Sequence, residues 1–193
     1  MKPGENLVLT RDCAATQIPS GIPYPVPSGT RVRLSQALGG SYTVMTEQGY
    51  LLRIDSKDAD ALGITEETTA GATAAAPSEF SEKLVWDQLK TVYDPEIPVN
   101  VVDLGLIYEC QVAPVEGGNN IDIKITMTAP GCGMADVLKS DIERKLASLP
   151  AVKAVNVQVV LDPPWHPGRM SEGARLQLGL DLDSSPFPLY SRP

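Results

Sequence analysis

The sequence predicts an α+β fold, with a C-terminal α-β-β-α-β domain whose helices lie on a small mixed sheet, preceded by a small all-β N-terminal domain. Three observations predict it. Ile121, Ile123, Ile125 and Met127 alternate with Asp122, Lys124, Thr126 and Thr128, the strict period two of a half-buried strand. Ala135, Leu138, Ile142, Leu146 and Leu149 recur at helical spacing. Before residue 64, turn signals recur at short, regular intervals, as in a small β-roll or barrel.

Residues 1–64 form the expected β domain. Pro19-Ser20-Gly21 and Pro27-Ser28-Gly29 are turn signals, because proline fixes φ and glycine permits a positive one. Ile22 to Val26 is the short strand between them. Tyr42-Thr43-Val44 and Tyr50 to Ile54 flank a Gln48-Gly49 turn and suggest a hairpin. Asp58 to Gly63 reads as one helical turn closed by Gly63. Residues 65–77 are Thr, Ala, Gly and Glu with almost no large apolar side chain, the composition of a flexible linker.

Residues 78–180 carry the α+β pattern. Ser78 or Ser81 caps a helix with Phe80, Leu84, Val85, Leu89 and Val92 at helical spacing, ended by Pro95 and Pro98. Leu106, Tyr108, Cys110 and Val112 alternate with Glu109 and Gln111 as a half-buried strand. Gly117 to Asn120 is the expected hairpin turn into the strand from Ile121. Ala129-Pro130-Gly131 breaks that strand, and a helix is expected from about Cys132 to Ser148. Val155, Val157 and Val159 form a third strand, and Ser171 caps a last short helix. Residues 181–193 are a polar, Pro-rich tail.

Composition narrows the function classes. The net charge is −8, and no segment is basic enough to neutralise several phosphates or dock on an anionic bilayer, so neither nucleic acid nor a membrane surface is an expected partner. No apolar run is long enough to cross a membrane, and none follows Lys2 as in a secretory signal, so the expected location is the cytoplasm. Three widely separated cysteines, Cys13, Cys110 and Cys132, make neither a disulfide framework nor a closed zinc site. The single histidine, His166, is the only imidazole available to a catalytic machine.

Cys132 is the leading candidate for chemistry. It follows a strand end at the expected first turn of a helix, between Gly131 and Gly133, where unpaired N–H groups favour a thiolate. A thiolate is both nucleophile and soft-metal ligand, whereas the bland alternative is a small buried helix cap. Cys110 shares the parity of a core-facing strand residue and reads as a small hydrophobe. Asp94 and Glu96 bracket Pro95 and shape a turn more readily than a catalytic pair. Asp103 sits in an apolar setting, either as a buried hydrogen-bonding acid or as a site residue. Trp165 and His166 lie in a Pro-rich turn that can aim either ring toward Cys132, or simply expose the imidazole.

Three longer motifs carry a resemblance. Asp94-Pro95-Glu96-Ile97-Pro98-Val99-Asn100-Val101-Val102-Asp103-Leu104-Gly105-Leu106-Ile107-Tyr108 resembles the opening signature of the iron–sulfur assembly domain family. Thr126-Met127-Thr128-Ala129-Pro130-Gly131-Cys132 resembles its Thr-rich strand leading to a reactive cysteine. Asp162-Pro163-Pro164-Trp165, with Pro167, Met170-Ser171 and Ala174-Arg175, resembles its closing motif. That family includes SufT, the eukaryotic cytosolic iron–sulfur targeting subunits and PaaD-type proteins. Arg11-Asp12, Ile18 to Gly21, Gln36 to Val44 and Lys57 to Gly63 resemble the extra N-terminal domain of SufT. Where many relatives have proline directly after the cysteine, this chain has Gly133.

The resemblance implies iron–sulfur cluster maturation rather than ordinary catalysis, with Cys132 as the expected cluster ligand. It marks Asp94, Glu96 and Asp103, then Thr126, Thr128, Pro130 and Gly131, then Trp165, His166, Met170, Ser171 and Arg175 as motif or site-lining positions. A [4Fe–4S] cluster takes four thiolates. One good cysteine per chain therefore implies a transient [4Fe–4S] or [2Fe–2S] cluster shared between two chains of a homodimer or with a partner. The implied partners are iron–sulfur assembly proteins and apo target proteins. Two alternatives stand beside this reading: a non-catalytic adaptor that holds no cluster, and a thiol enzyme using Cys132 with His166 as base.

Overall fold

The computed structural model describes residues 2–64, 79–129 and 133–180. Strands β1 (Asn6–Val8), β2 (Cys13–Ile18), β3 (Pro23–Val26), β4 (Arg31–Leu38), β5 (Ser41–Thr46) and β6 (Leu51–Asp55) form one antiparallel sheet in the order β1-β4-β5-β6-β2-β3. The small all-β unit is thus an open sheet with β1 and β3 at its edges, rather than a closed barrel. Alternation sends Leu34, Val44, Leu52 and Ile54 to one fully buried face. The 3-10 helix Ser56–Leu62 adds Ala61 and Leu62 to that core and ends at Gly63, whose φ of 72° needs a residue without a Cβ.

The second unit runs α1 (Glu82–Leu89), β7 (Ile107–Val115), β8 (Gly118–Ile125), α2 (Ala135–Ala147), β9 (Val152–Val159) and α3 (Glu172–Gln177). β7 and β8 are antiparallel and β8 and β9 parallel, so the sheet is mixed as expected. Ile121, Ile123, Ile125 and Val157 face the core with Val85 and Leu89 of α1 and Leu138, Ile142 and Leu146 of α2. Each such side chain contributes about 2 kcal/mol on leaving water. The opposite sheet face is polar, with Glu109, Gln111, Asp122, Lys124, Asn156 and Gln158.

Four local expectations are corrected. The helix α1 stops at Leu89, well before Pro95, because Tyr93 leaves the helix to bridge Asn100 in an extended pair. The β7–β8 turn is Glu116-Gly117, not Gly117 to Asn120, since Val115 already faces Gly118 in register. A bulge between Ile107 and Glu109 breaks the alternation, so Tyr108 leaves the core side and lies under the Arg169 guanidinium, 4.0 Å from its ring centre. The helix α2 starts at Ala135 with Met134 as its N-cap, so Cys132 precedes the helix instead of occupying its first turn. The expected linker (65–77) and tail (181–193), like Pro130, Gly131 and Cys132, lie outside the described residues.

The two units share a polar junction along α2. Thr43 and Arg53 are cross-strand partners on the sheet face opposite the N-terminal core, and both are buried. The Arg53 guanidinium pairs with Asp55 at 2.6 Å and with Asp141 of α2, which also pairs with Arg144. Thr43 Oγ1 donates to the Pro95 carbonyl at 3.2 Å, and Gln36 Nε2 to the Asp94 carbonyl at 3.0 Å. One turn beyond Asp141, Lys145 Nζ donates to the carbonyls of Gly39 and Thr91 at 2.7 and 2.6 Å. Burial lowers the Lys145 ammonium to about 8, against the pull of Asp141.

Removing one member of a buried ion pair strands the other, whereas an exposed partner matters little. Asp141→Ala should therefore destabilise the protein by about 3 kcal/mol, and Arg144→Ala, whose side chain is half exposed, by less than about 1 kcal/mol. Urea denaturation of both variants measures the two costs.

Candidate functional site

The first motif folds as two successive side-chain-capped turns. Asp94 is buried, and its Oδ1 accepts the N–H groups of Glu96 and Ile97, both at 2.9 Å. Asn100 repeats the device, accepting from Val102 and Asp103 at 3.0 and 2.9 Å, while its Nδ2 donates to Asp103 Oδ2 at 2.6 Å. Asp103 is thus hydrogen-bonded within the turn. The chain then turns at Gly105, at φ 69°, where a Cβ would lie 2.3 Å from the Arg169 carbonyl oxygen.

That close approach brings the closing motif onto the first. Trp165 Nε1 donates to the Leu104 carbonyl at 2.8 Å, Arg169 Nε to that of Gly105 at 3.2 Å, and the Ser171 N–H to that of Asp103 at 2.8 Å. Tyr108 Oη donates to the Pro163 carbonyl at 2.9 Å. Ser171 caps α3 by accepting the Ala174 N–H, and Met170 is buried in the core. The Arg175 Nε is buried without a hydrogen-bond partner among the described residues. The Thr126 N–H donates to the Leu106 carbonyl at 2.9 Å, so the Thr-rich strand reaches the same place. Thr126 is fully buried and Thr128 half-buried. The three motifs thus converge on Leu104-Gly105-Leu106.

The structure separates other positions from that centre. Asp94 and Glu96 lie at the junction with the N-terminal sheet, through the Gln36 and Thr43 contacts. Burial raises both carboxyls, with two backbone N–H groups opposing the rise at Asp94 and the Asp94 charge adding to it at Glu96. His166 is exposed, and the Trp165 indole is half-buried on the Leu104 carbonyl. Burial pushes the Cys110 thiol up to about 11 and raises that of Cys13, so neither is poised as a thiolate ligand. Among the described residues, no three His, Cys, Asp or Glu side chains gather into a metal site.

Residues 133 and 129 flank the segment that carries Cys132, which itself lies outside the described residues. Gly133 touches the N-terminal sheet: a Cβ there would lie 1.9 Å from the Ser20 carbonyl oxygen, and a Cβ on Gly21 would lie 2.0 Å from that of Gly133. Arg53, Asp141, Lys145 and Arg169 were not singled out from the sequence. Asp141 and Lys145 are spaced i,i+4 and look like a solvent pair on a helix; only their alignment beside the apolar stripe hints at a second buried side.

The family model described as iron–sulfur cluster assembly protein matches residues 82–159. A Fe-S protein maturation auxiliary factor of Porphyromonas gingivalis is 42% identical over 99 residues, 51% of this chain and 91% of that protein. The Bacillus subtilis Fe-S protein maturation auxiliary factor YitW is 36% identical over 53% of this chain and 97% of its own length. The Staphylococcus aureus Fe-S protein maturation auxiliary factor SufT is 35% identical over 46% of this chain and 98% of its own length. This chain belongs to the iron–sulfur cluster assembly protein family. Those three members are spanned almost end to end by about half of it, so the other half has no counterpart in them. The glycine at 133 has a physical reason here, since only a residue without a side chain fits against Ser20.

The buried Asp94 of the family's first motif gives a test with a definite sign. Its raised value means that the folded chain holds the proton more tightly than the unfolded one, so stability falls as pH rises above 3.8 through the folded value. Asp94→Asn retains the acceptor without the charge and should be at least as stable as wild type at neutral pH. Asp94→Ala should lose about 1–3 kcal/mol with the two orphaned N–H groups. Denaturation across pH should show any advantage of the Asn variant shrinking on acidification.

Proposed function

We propose that this protein is an iron–sulfur cluster assembly or maturation factor that carries clusters, or helps deliver them, to apoproteins in the cytoplasm, with Cys132 as its cluster ligand. The observation that carries this reading is the near end-to-end match of its second unit to proteins named Fe-S protein maturation auxiliary factors. The chemistry of the remaining cysteines supports it: Cys13 is buried in one core and Cys110 is half-buried against the other, both with raised thiols, which leaves Cys132 as the third. A cluster on this chain is cargo, since one thiolate cannot complete its coordination. The other ligands come from a second copy of the chain, from small thiols or from the proteins that give and take the cluster. The role is carriage and not turnover of a substrate.

Anaerobic reconstitution with ferrous iron and sulfide, followed by absorbance and iron content, tests the reading. Wild type and Cys110→Ser should take up a labile cluster, and Cys132→Ser should not. A cluster that survives Cys132→Ser removes the role given to that residue. If wild type itself takes up no iron, the protein is an adaptor that links the assembly machinery to its targets without holding a cluster.

A further inference from the structure

We propose that the junction between the N-terminal sheet and α2 is a proton-linked latch, which parts as a local step when Lys145 takes up a proton and closes when that proton leaves. The proposal is independent of the reading of Cys132. Three pieces of chain meet at the Lys145 amine. A Cβ on Gly39, at φ 63° in the turn between β4 and β5, would lie 2.3 Å from the Thr91 carbonyl oxygen, 3.0 Å from the Tyr93 ring and 3.3 Å from Lys145 Nζ. The carbonyls of Gly39 and Thr91 converge on that one nitrogen, which donates to both. A neutral amine has two N–H groups, enough for both bonds. The extra proton of the ammonium therefore brings charge without being needed for either contact.

That charge has no counterion of its own. Among the described residues, no carboxylate is bonded to Lys145. Asp141, one turn earlier on α2, is held by Arg53 of β6 and by Arg144, and Asp55 is held by Arg53. The segment after α1 and the Gly39 turn bring only the Tyr93 ring and backbone to it. Burial lowers the ammonium from 10.5 to about 8; Asp141 opposes the change, and Arg144 and Arg53 add to it. The closed junction thus holds this proton less tightly than an open one, and proton uptake favours opening. With values of about 8 closed and 10.5 open, the open fraction should fall about tenfold from pH 7 to pH 9. Asp94 and Glu96, raised by burial at the same junction, act in the opposite sense. Opening leaves both units folded, because the two cores share no residue. The bonds that cross between them, from Gln36, Thr43, Arg53 and Lys145, are polar.

Thr43 is buried under this junction and faces away from the N-terminal core, so it reports the opening. In Thr43→Cys, made in the whole chain, iodoacetamide reaches the introduced thiol when the junction parts. Peptide mass follows that reaction beside the reaction of Cys13, whose burial in the N-terminal core reports wider unfolding. Each rate is divided by that of glutathione at the same pH. The introduced thiol should react about tenfold faster than Cys13 or more, and its normalised rate should fall about tenfold from pH 7 to pH 9. Asp94→Asn, which removes an opposing carboxyl, should leave that fall in place. Lys145→Met, never charged, and Lys145→Arg, always charged, should each abolish it; the second carries the test if the first does not fold. Reaction no faster than that of Cys13 overturns the local opening. A rate that stays level between pH 7 and pH 9 with Lys145 present, or falls equally in the folded Lys145 variants, overturns the role of its proton.

Discussion

Arg53 carries a full charge at the centre of a sheet, with almost none of its side chain in contact with water. A guanidinium in that setting is tolerable only if carboxylates meet it, and the second of them, Asp141, belongs to a helix of the other unit. The geometry of the protein follows from this requirement. Once Asp141 is fixed on Arg53, α2 lies along the sheet, Lys145 arrives over the Gly39 turn, and the segment before the helix is drawn against Ser20. The same helix presents Leu138, Ile142 and Leu146 to its own sheet, so its polar and apolar stripes are buried in different directions.

The family domain was legible because its signals are local. Period-two alternation in β8 and the helical spacing in α2 each follow from a single repeated contact with one core, which is the condition under which sequence periodicity works. The N-terminal hairpin and the Gly63 stop were readable for the same reason. Where the reading slipped, two constraints competed for one residue. Tyr108 has the parity of a core residue but is taken by Arg169 and Pro163 across a bulge. Val92 has helical spacing, yet the helix stops at Leu89 and the next residue, Tyr93, is claimed by the bridge to Asn100. Asp141 and Lys145 look like surface charges because the sheet that buries them is distant in sequence. No local pattern records such a contact.

The motifs that carried the family resemblance divide on physical grounds. Much of what they specify is scaffold: capped turns at Asp94 and Asn100, a glycine at 105 that admits the Arg169 backbone, and an indole and a serine that hold the closing segment to the carbonyls of Leu104 and Asp103. These hydrogen bonds fix where β8 ends, and hence where the chain that bears Cys132 begins. Strong sequence signature and chemical participation are different properties, and among the described residues these motifs hold the chain together through backbone carbonyls.

The double burial of α2 has a consequence for any attempt to divide the chain. The apolar side of the helix is held by its own sheet, while its charged side is held by the other unit, through Arg53 on Asp141 and the Gly39 carbonyl on Lys145. Cutting away the N-terminal half would return both charges to water and leave them with no groups from that sheet to meet them. A shortened chain would keep the helix and lose the reason for half of its pattern.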